Sequence, residues 1–144
     1  MPASIRAQII DDIALACLGI TTINGYNTSI GSDVRVGQKD IDPDDLPLMV
    51  LFPGEESAIR NAYGIYRLTM SLTIEAACVL TAEWADNPST KCEEMLADLQ
   101  ALLLTNPKSI SPNVRDILYI SGGPTEWPVA EAKTMGARAV FAVS

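Results

Sequence analysis

Histidine is absent from the sequence, and cysteine is scarce. Without His the chain cannot build a histidine-based catalytic triad or an imidazole metal site. The three cysteines, Cys17, Cys78 and Cys92, are far apart and odd in number, which favours buried thiols in a reducing compartment over a reactive or metal-binding thiol. We therefore expect no catalytic residue, no cofactor and no metal site, and we predict that the protein is not an enzyme.

Positive charge and long apolar runs are also lacking. The chain has 10 Lys and Arg against 18 Asp and Glu, which gives a net charge of −8. A sequence-independent grip on DNA needs a basic footprint, so the composition argues against nucleic acid as a direct ligand. The sequence has no run of 18 apolar residues, so we expect no membrane span. The N-terminal stretch MPASIRAQIIDDIA does not resemble a signal peptide.

The composition is that of one folded domain spanning residues 1–144. Apolar residues make up 48% of the chain and the mean hydropathy is +0.18, so disorder is not expected. A chain of this length buries about two-thirds of its unfolded surface, which is enough for an independent core.

The stretch from Tyr63 to Leu80 has the clearest pattern. Every second residue is apolar: Tyr66, Leu68, Met70, Leu72, Ile74, Ala76, Cys78 and Leu80. This is the period of a strand with one buried face. A strand over Ile65–Leu80 would be roughly 50 Å long, whereas a domain of this size is about 37 Å across. We expect the strand either to bend or to project and pair with something else.

The first half of the chain supplies four further elements. Ser4–Ile20 predicts an amphipathic helix. Thr22–Val36 predicts one strand or two short ones, interrupted near Gly31. Leu48–Phe52 is apolar without alternation, which predicts a strand buried on both faces near the centre of the sheet. Gly54–Gly64 is predicted to be a loop.

The second half predicts a helix and two strands. A helix from about Pro88 to Leu104 has an unbroken apolar stripe made of Cys92, Met95, Leu96, Leu99, Leu102 and Leu103. Val114–Ser121 predicts a strand that ends at a turn formed by residues 122–124. Thr134–Val143 predicts a final strand rich in small residues, which we expect at the open edge of the sheet.

The segment Gly37–Pro47 is an acidic loop. Four of the six residues from 40 to 45 carry carboxylates: Asp40, Asp42, Asp44 and Asp45. The spacing resembles the start of a calcium loop, but Asp45 takes the glycine position and Leu51 the position of the bidentate glutamate. A solvated or partner-facing loop is the expected role.

Together these elements predict an α+β fold. The sheet is expected to be mixed or mostly antiparallel, with two helices packed on one face, one overlong strand, and a polar, exposed opposite face.

Four segments carry a resemblance to a known family: IRAQIIDDI, VRVGQKDIDPDDLPLMVLFPGEE, YGIYRLTMSLTIEA and CEEMLADLQALLL. In size and element order the chain resembles the tail terminator (minor tail protein U-like, tail-completion) proteins of long-tailed phages. The resemblance implies a virion protein of the tail or neck, made in the bacterial host cytoplasm. It implies a ring, usually a hexamer, that caps the tail tube protein, stops tube polymerisation and contacts the head–neck connector, while DNA passes through without specific binding.

Two surfaces are the candidates for contacts between subunits. The first is the polar face of the long strand: Arg67, Thr69, Ser71, Thr73 and Glu75. The second consists of loop carboxylates: Asp40, Asp42, Asp44, Asp45, Glu55 and Glu56. A plain solvated surface is the alternative for each. For the whole protein the alternatives are a head-completion or neck adaptor, an α+β binding module unrelated to phage, and an enzyme that uses the loop carboxylates.

Overall fold

The computed structural model describes residues 4–37, 46–60, 63–64, 66–79, 88–125 and 134–144. The helices and strands are α1 (Ile5–Cys17), β1 (Val34–Val36), β2 (Leu48–Arg60), β3 (Tyr66–Val79), α2 (Pro88–Thr105), α3 (Pro107–Ile110), β4 (Ile117–Thr125) and β5 (Thr134–Val143). The strands form one five-stranded sheet in the order β1-β2-β3-β5-β4. Only β1 and β2 are parallel, and the other pairs are antiparallel, so the predicted α+β class is confirmed.

The long strand β3 has the predicted alternation. Every second side chain from Met70 to Cys78 is buried: Met70, Leu72, Ile74, Ala76 and Cys78. These five point to the same face, because successive residues of a strand point to opposite faces. At 14 residues the strand is about 46 Å long at 3.3 Å per residue. The overlong strand is therefore confirmed, although Ile65 and Leu80 lie outside the described residues.

Both long helices pack on this face of the sheet, as predicted. The core cluster joins the inner face of β3 to side chains of both helices and of β5: Ile13, Cys17, Cys92, Met95, Leu96, Leu99, Leu103, Ala137, Ala139 and Phe141. The α2 members are those of the predicted stripe, because a 3.6-residue period keeps them on one side of the helix. Helix α1 begins one residue after the N-cap Ser4, whose hydroxyl accepts a hydrogen bond from the Ala7 amide at 3.1 Å.

The prediction of strands over Thr22–Val36 is mostly wrong. Two short 3-10 turns, Thr22–Asn24 and Ile30–Ser32, occupy the segment, and only β1 at its end is a strand. The cause is tertiary, since the buried carboxylate of Asp98 on α2 accepts hydrogen bonds from backbone amides in the middle of the segment. A backbone fixed to a helix in this way cannot also form a sheet ladder.

The loop predicted over Gly54–Gly64 is wrong as far as Arg60. Strand β2 continues through Pro53 and Gly54, with a register shift between Pro53 and Glu56, and then pairs again with β3 up to Arg60 opposite Tyr66. A bulge absorbs residues that usually end a strand, and pairing along β3 then restores the ladder.

Two predictions about the C-terminal strands are also corrected. The turn predicted at residues 122–124 lies inside β4, which follows a register shift between Tyr119 and Ser121 and pairs with β5 up to Thr125. The bounds of β5 are as predicted, but β5 is not an edge strand. It lies between β3 and β4, and β4 takes the edge.

The second face of the sheet is not uniformly polar. Leu48, Val50 and Ala77 lie on it and are fully buried, whereas Ser71 is exposed. The burial on both faces predicted for Leu48–Phe52 is therefore confirmed from Leu48 to Leu51, whereas Phe52 is half-buried. The prediction of a polar, exposed second face is wrong at that end of the sheet.

Candidate interface for self-association

The polar residues predicted for subunit contacts lie on a strand inside the sheet. Ser71 is exposed, whereas Thr69, Thr73 and Glu75 are half-buried on the face opposite the helices. Arg67 is at the register position opposite Ile59 of β2. From Met70 to Ala77 the backbone of β3 pairs with β2 on one side and β5 on the other. Over that stretch β3 can offer another subunit its face but no free backbone.

The predicted carboxylates divide into two groups. Glu55 and Glu56 are exposed on β2, immediately after its bulge begins. The acidic loop residues Asp40, Asp42, Asp44 and Asp45 lie outside the described residues.

One end of the β2–β3 hairpin extends beyond the rest of the sheet. Strand β5 pairs with β3 only from Met70 onward, whereas β2 pairs with it from Tyr66. We call the extension, Glu55–Arg60 with Tyr66–Thr69, the hairpin arm. Ser57, Ala58 and Leu68 are exposed on it. The projecting end of the long strand is therefore paired on one edge by its own chain.

The arm has unpaired strand edges. Strand β1 lies against β2 only at Met49–Leu51, and among the described residues no strand lies against Glu55–Arg60 on that side. At the base of the arm, the Arg6 guanidinium of α1 donates a hydrogen bond from Nη2 to the carbonyl of Gly54 at 2.6 Å. This contact joins the base of the arm to α1, and the far part of the arm is exposed to solvent.

The opposite side of the sheet ends at β4. Within the described ranges β4 pairs with β5 alone, and none of its nine residues is charged. Leu118, Tyr119 and Ile120 are 55%, 37% and 59% exposed. Exposed edge strands in soluble proteins usually carry charges or prolines that block further pairing. Here Pro124 near the end of β4 is the single residue of this kind, so the apolar half of the edge is unprotected.

Sequence reasoning missed this edge although its signal was present. The run ILYIS has no charge and no proline, but edge status was assigned to the final strand from its small residues. Which strand lies outermost is decided by pairing between strands, and composition carries little information about it.

The arm and β4 border a shallow groove of about 330 Å³ on the face opposite the helices. Ser57 of the arm and Ile120 of β4 line its two sides, and Thr69 and Ser71 lie between them. The structure thus brings four of the predicted contact residues, Glu55, Glu56, Thr69 and Ser71, next to the unpredicted apolar edge. A second groove of about 220 Å³ lies under the arm, where Arg6 and Arg115 accompany mainly apolar side chains.

The three thiols are buried, as predicted. Burial raises the pKa of Cys17 to about 12, and burial with a smaller effect of Glu93 raises the pKa of Cys92. Cys78 Sγ lies 3.6 Å from Met95 Sδ within the core. A buried, protonated thiol is a poor nucleophile and a poor metal ligand.

The described part of the chain has neither a metal-holding cluster of side chains nor a helix suited to cross a membrane. It contains no group of three or more His, Cys, Asp or Glu side chains arranged to hold a metal ion. None of the helices it includes has both the length and the apolar composition needed to cross a membrane.

Comparison with known proteins adds no relative. No protein-family model matches the chain, and no curated protein is significantly similar to it. The surface described above is therefore the basis for inferring function.

Proposed function

We propose that this protein is a ring-forming structural subunit of a phage tail, of the tail terminator type. In this role a ring, of six copies in the family it resembles, caps the tail tube, stops its polymerisation and provides the surface for attachment of the head and neck. The observation that supports the proposal most is that both sides of the sheet, the hairpin arm at one side and β4 at the other, have strand edges with no partner among the described residues.

The position of the two edges favours a ring over a two-fold dimer. A two-fold contact uses the same surface on both partners, whereas different surfaces on opposite sides of one subunit join copies head to tail. Head-to-tail contacts close into rings when the rotation between neighbours allows it. The unlike edges of this sheet, one an uncharged strand and one an arm that carries charges of both signs, fit the second arrangement.

The charge of the chain is compatible with a channel for DNA. Each copy carries a net charge of −8, so a ring of copies is strongly acidic. Because DNA is polyanionic and is bound through basic footprints, an acidic wall repels the passing duplex and does not hold it.

Mass measurement in solution is the direct test. Light scattering or native mass spectrometry over a range of concentrations, alone and with the tail tube protein, is expected to show a discrete closed oligomer larger than a dimer. A monomer at high concentration under both conditions would contradict the proposal.

A second test examines the polar face of β3. Replacing Thr69 and Thr73 by Glu (T69E/T73E) adds negative charge beside the groove, while β3 keeps its backbone pairing. If this face lies in the ring contact, the double variant remains folded by circular dichroism and loses the ring. An unchanged ring would remove the face of β3 from the contact.

The role within the particle is tested by electron microscopy of particles assembled without the protein. Overlong tails are the expected result, because a terminator ends tube polymerisation. Normal tails with heads that leak DNA would instead identify a neck or head-completion protein.

A further inference from the structure

We propose that the β4 edge of one copy pairs antiparallel with the hairpin-arm edge, Glu55–Arg60, of the next copy, so that the sheet continues from subunit to subunit. This inference rests on the proposed ring and names the two surfaces that join its members.

The first step concerns what must cover β4. Its outer backbone groups have no strand partner among the described residues, and three successive large apolar side chains beside them are exposed. A strand laid along this edge satisfies the backbone groups and removes the apolar side chains from water at the same time. A helix or loop docked there would cover the side chains only.

The second step concerns which strand can do so. In the described part of the chain, the other long stretch of unpaired strand is Glu55–Arg60 of the arm, on the opposite side of the sheet. A single copy can therefore give β4 to one neighbour and the arm to another. If two β4 strands paired with each other, the contact would be two-fold and each arm would need a second, separate contact.

The third step concerns direction, which the sheet topology decides. Strand β2 is antiparallel to β3, β3 to β5 and β5 to β4, so β2 and β4 run in opposite directions within one copy. Copies in a ring are related by rotation about the ring axis, so a sheet that continues from copy to copy keeps these directions. The β4 edge of one copy therefore meets the arm edge of the next copy in the antiparallel direction.

The fourth step concerns packing. The arm presents the small exposed side chains of Ser57 and Ala58 at its centre, while β4 presents Leu118 and Ile120. Small residues on one strand leave room for large apolar residues of the other, which allows close backbone approach along the new ladder.

Cross-linking of a mixture of two variants, each with one introduced cysteine, tests the pairing. Ser57→Cys places a thiol on the arm edge, and Ser121→Cys places one on β4. Because Cys17, Cys78 and Cys92 are buried, oxidation reports on the two introduced thiols. We expect a disulfide-linked dimer when the two variants are mixed, and at least tenfold less of it in either variant alone.

The alternatives give different patterns. Cross-linked dimers of S121C alone would show that β4 pairs with β4 and would overturn the inference, as would dimers of S57C alone for the arm. A closed oligomer by mass with no cross-link in the mixture would overturn this pairing and leave the ring intact. Monomers by mass in every sample would overturn the proposed function together with this inference.

A charge variant supplies a second readout. Ile120→Lys puts a charge on the exposed edge, which is the usual way that soluble proteins block strand addition. We expect at least a tenfold rise in the concentration needed for assembly. The matched control is Ile23→Lys, because Ile23 is 94% exposed and lies on the turn after α1, away from both edges. Equal effects of the two variants would overturn the assignment of the edge.

Discussion

The carboxylate of Asp98 is the contact whose removal tests the fold most sharply. It is 2% exposed on the buried side of α2. Its Oδ1 accepts a hydrogen bond from the Asn27 amide at 3.0 Å. Its Oδ2 accepts from the Thr28 amide at 2.8 Å and from the Thr28 hydroxyl at 2.6 Å. The side chain therefore holds the irregular segment after α1 against a helix some seventy residues later in the sequence.

The expected cost of Asp98→Ala follows from these three bonds. Hydrogen bonds to a charged group contribute about 1.5–3 kcal/mol each, so their gross contribution is roughly 4.5–9 kcal/mol. Keeping a charge out of water opposes folding by several kcal/mol, and that cost disappears with the carboxylate. We expect a net loss of about 3 kcal/mol in the free energy of unfolding, and hence a fall in Tm of about 6–12 °C.

Urea unfolding followed by far-UV circular dichroism measures the loss. The matched control is Glu93→Ala on the same helix, because Glu93 is exposed and its removal is expected to change stability by less than about 0.5 kcal/mol. Thr28→Val removes one of the three donors, so D98A and T28V combined should cost less than the sum of the separate losses. If D98A costs no more than E93A, the carboxylate does not hold the segment and the argument fails.

Three further predictions concern stability. Gly31→Ala would place a Cβ 2.8 Å from the backbone N and O of Ile20, which follows α1. We expect the free energy of unfolding in urea to fall by about 1–3 kcal/mol, and a fall under about 0.5 kcal/mol would refute this close approach. Gly122→Ala would displace the Tyr119 ring from its edge contact with Phe141 and lower the free energy of unfolding by about 1 kcal/mol. In the control Gly123→Ala the added Cβ meets open space, so stability should not change, and equal effects of the two variants would contradict the ring contact. Burial raises the pKa of Cys17 from 9.0 to about 12, so the unfolded state releases its proton first as pH rises, and stability should fall by about 1.4 kcal/mol per pH unit above pH 9. That fall should be reduced in Cys17→Ala, measured by urea unfolding at pH 8 to 10.5, where the part due to the raised pKa of Cys92 remains. An equal fall in both proteins would refute the assignment.

The parts of the fold that the sequence predicted depend on local periodicity. The alternation in Tyr66–Val79 and the helical stripe in Pro88–Thr105 each record which side of an element faces the core. The bounds of β5 were predicted for the same reason, since its buried residues alternate with the others from Ala137 to Val143. These signals need no knowledge of which element lies beside which.

The parts that were mispredicted depend on partners distant in the sequence. Pro53 and Gly54 usually end a strand, yet β2 continues because β3 offers a ladder beyond the bulge. The segment before β1 alternates like a strand but is held by Asp98. The exposed edge of β4 was missed for a related reason. The polar face of β3 was visible in the sequence, whereas the exposed edge of β4 follows from a strand order that no single segment encodes.

The length of β3 was taken as a sign that the chain needs a partner, and the structure changes what that partner has to supply. The projecting end of β3 pairs with β2 on one side. Among the described residues, the outer edge of β2 in the arm therefore lacks a strand partner. The same sheet leaves an uncharged edge at β4 on its other side. A protein with one exposed edge can protect it by pairing with a second copy through a two-fold axis. With two unlike edges on opposite sides, head-to-tail contacts leave one edge open at each end of a row of copies, and closure into the proposed ring would satisfy both.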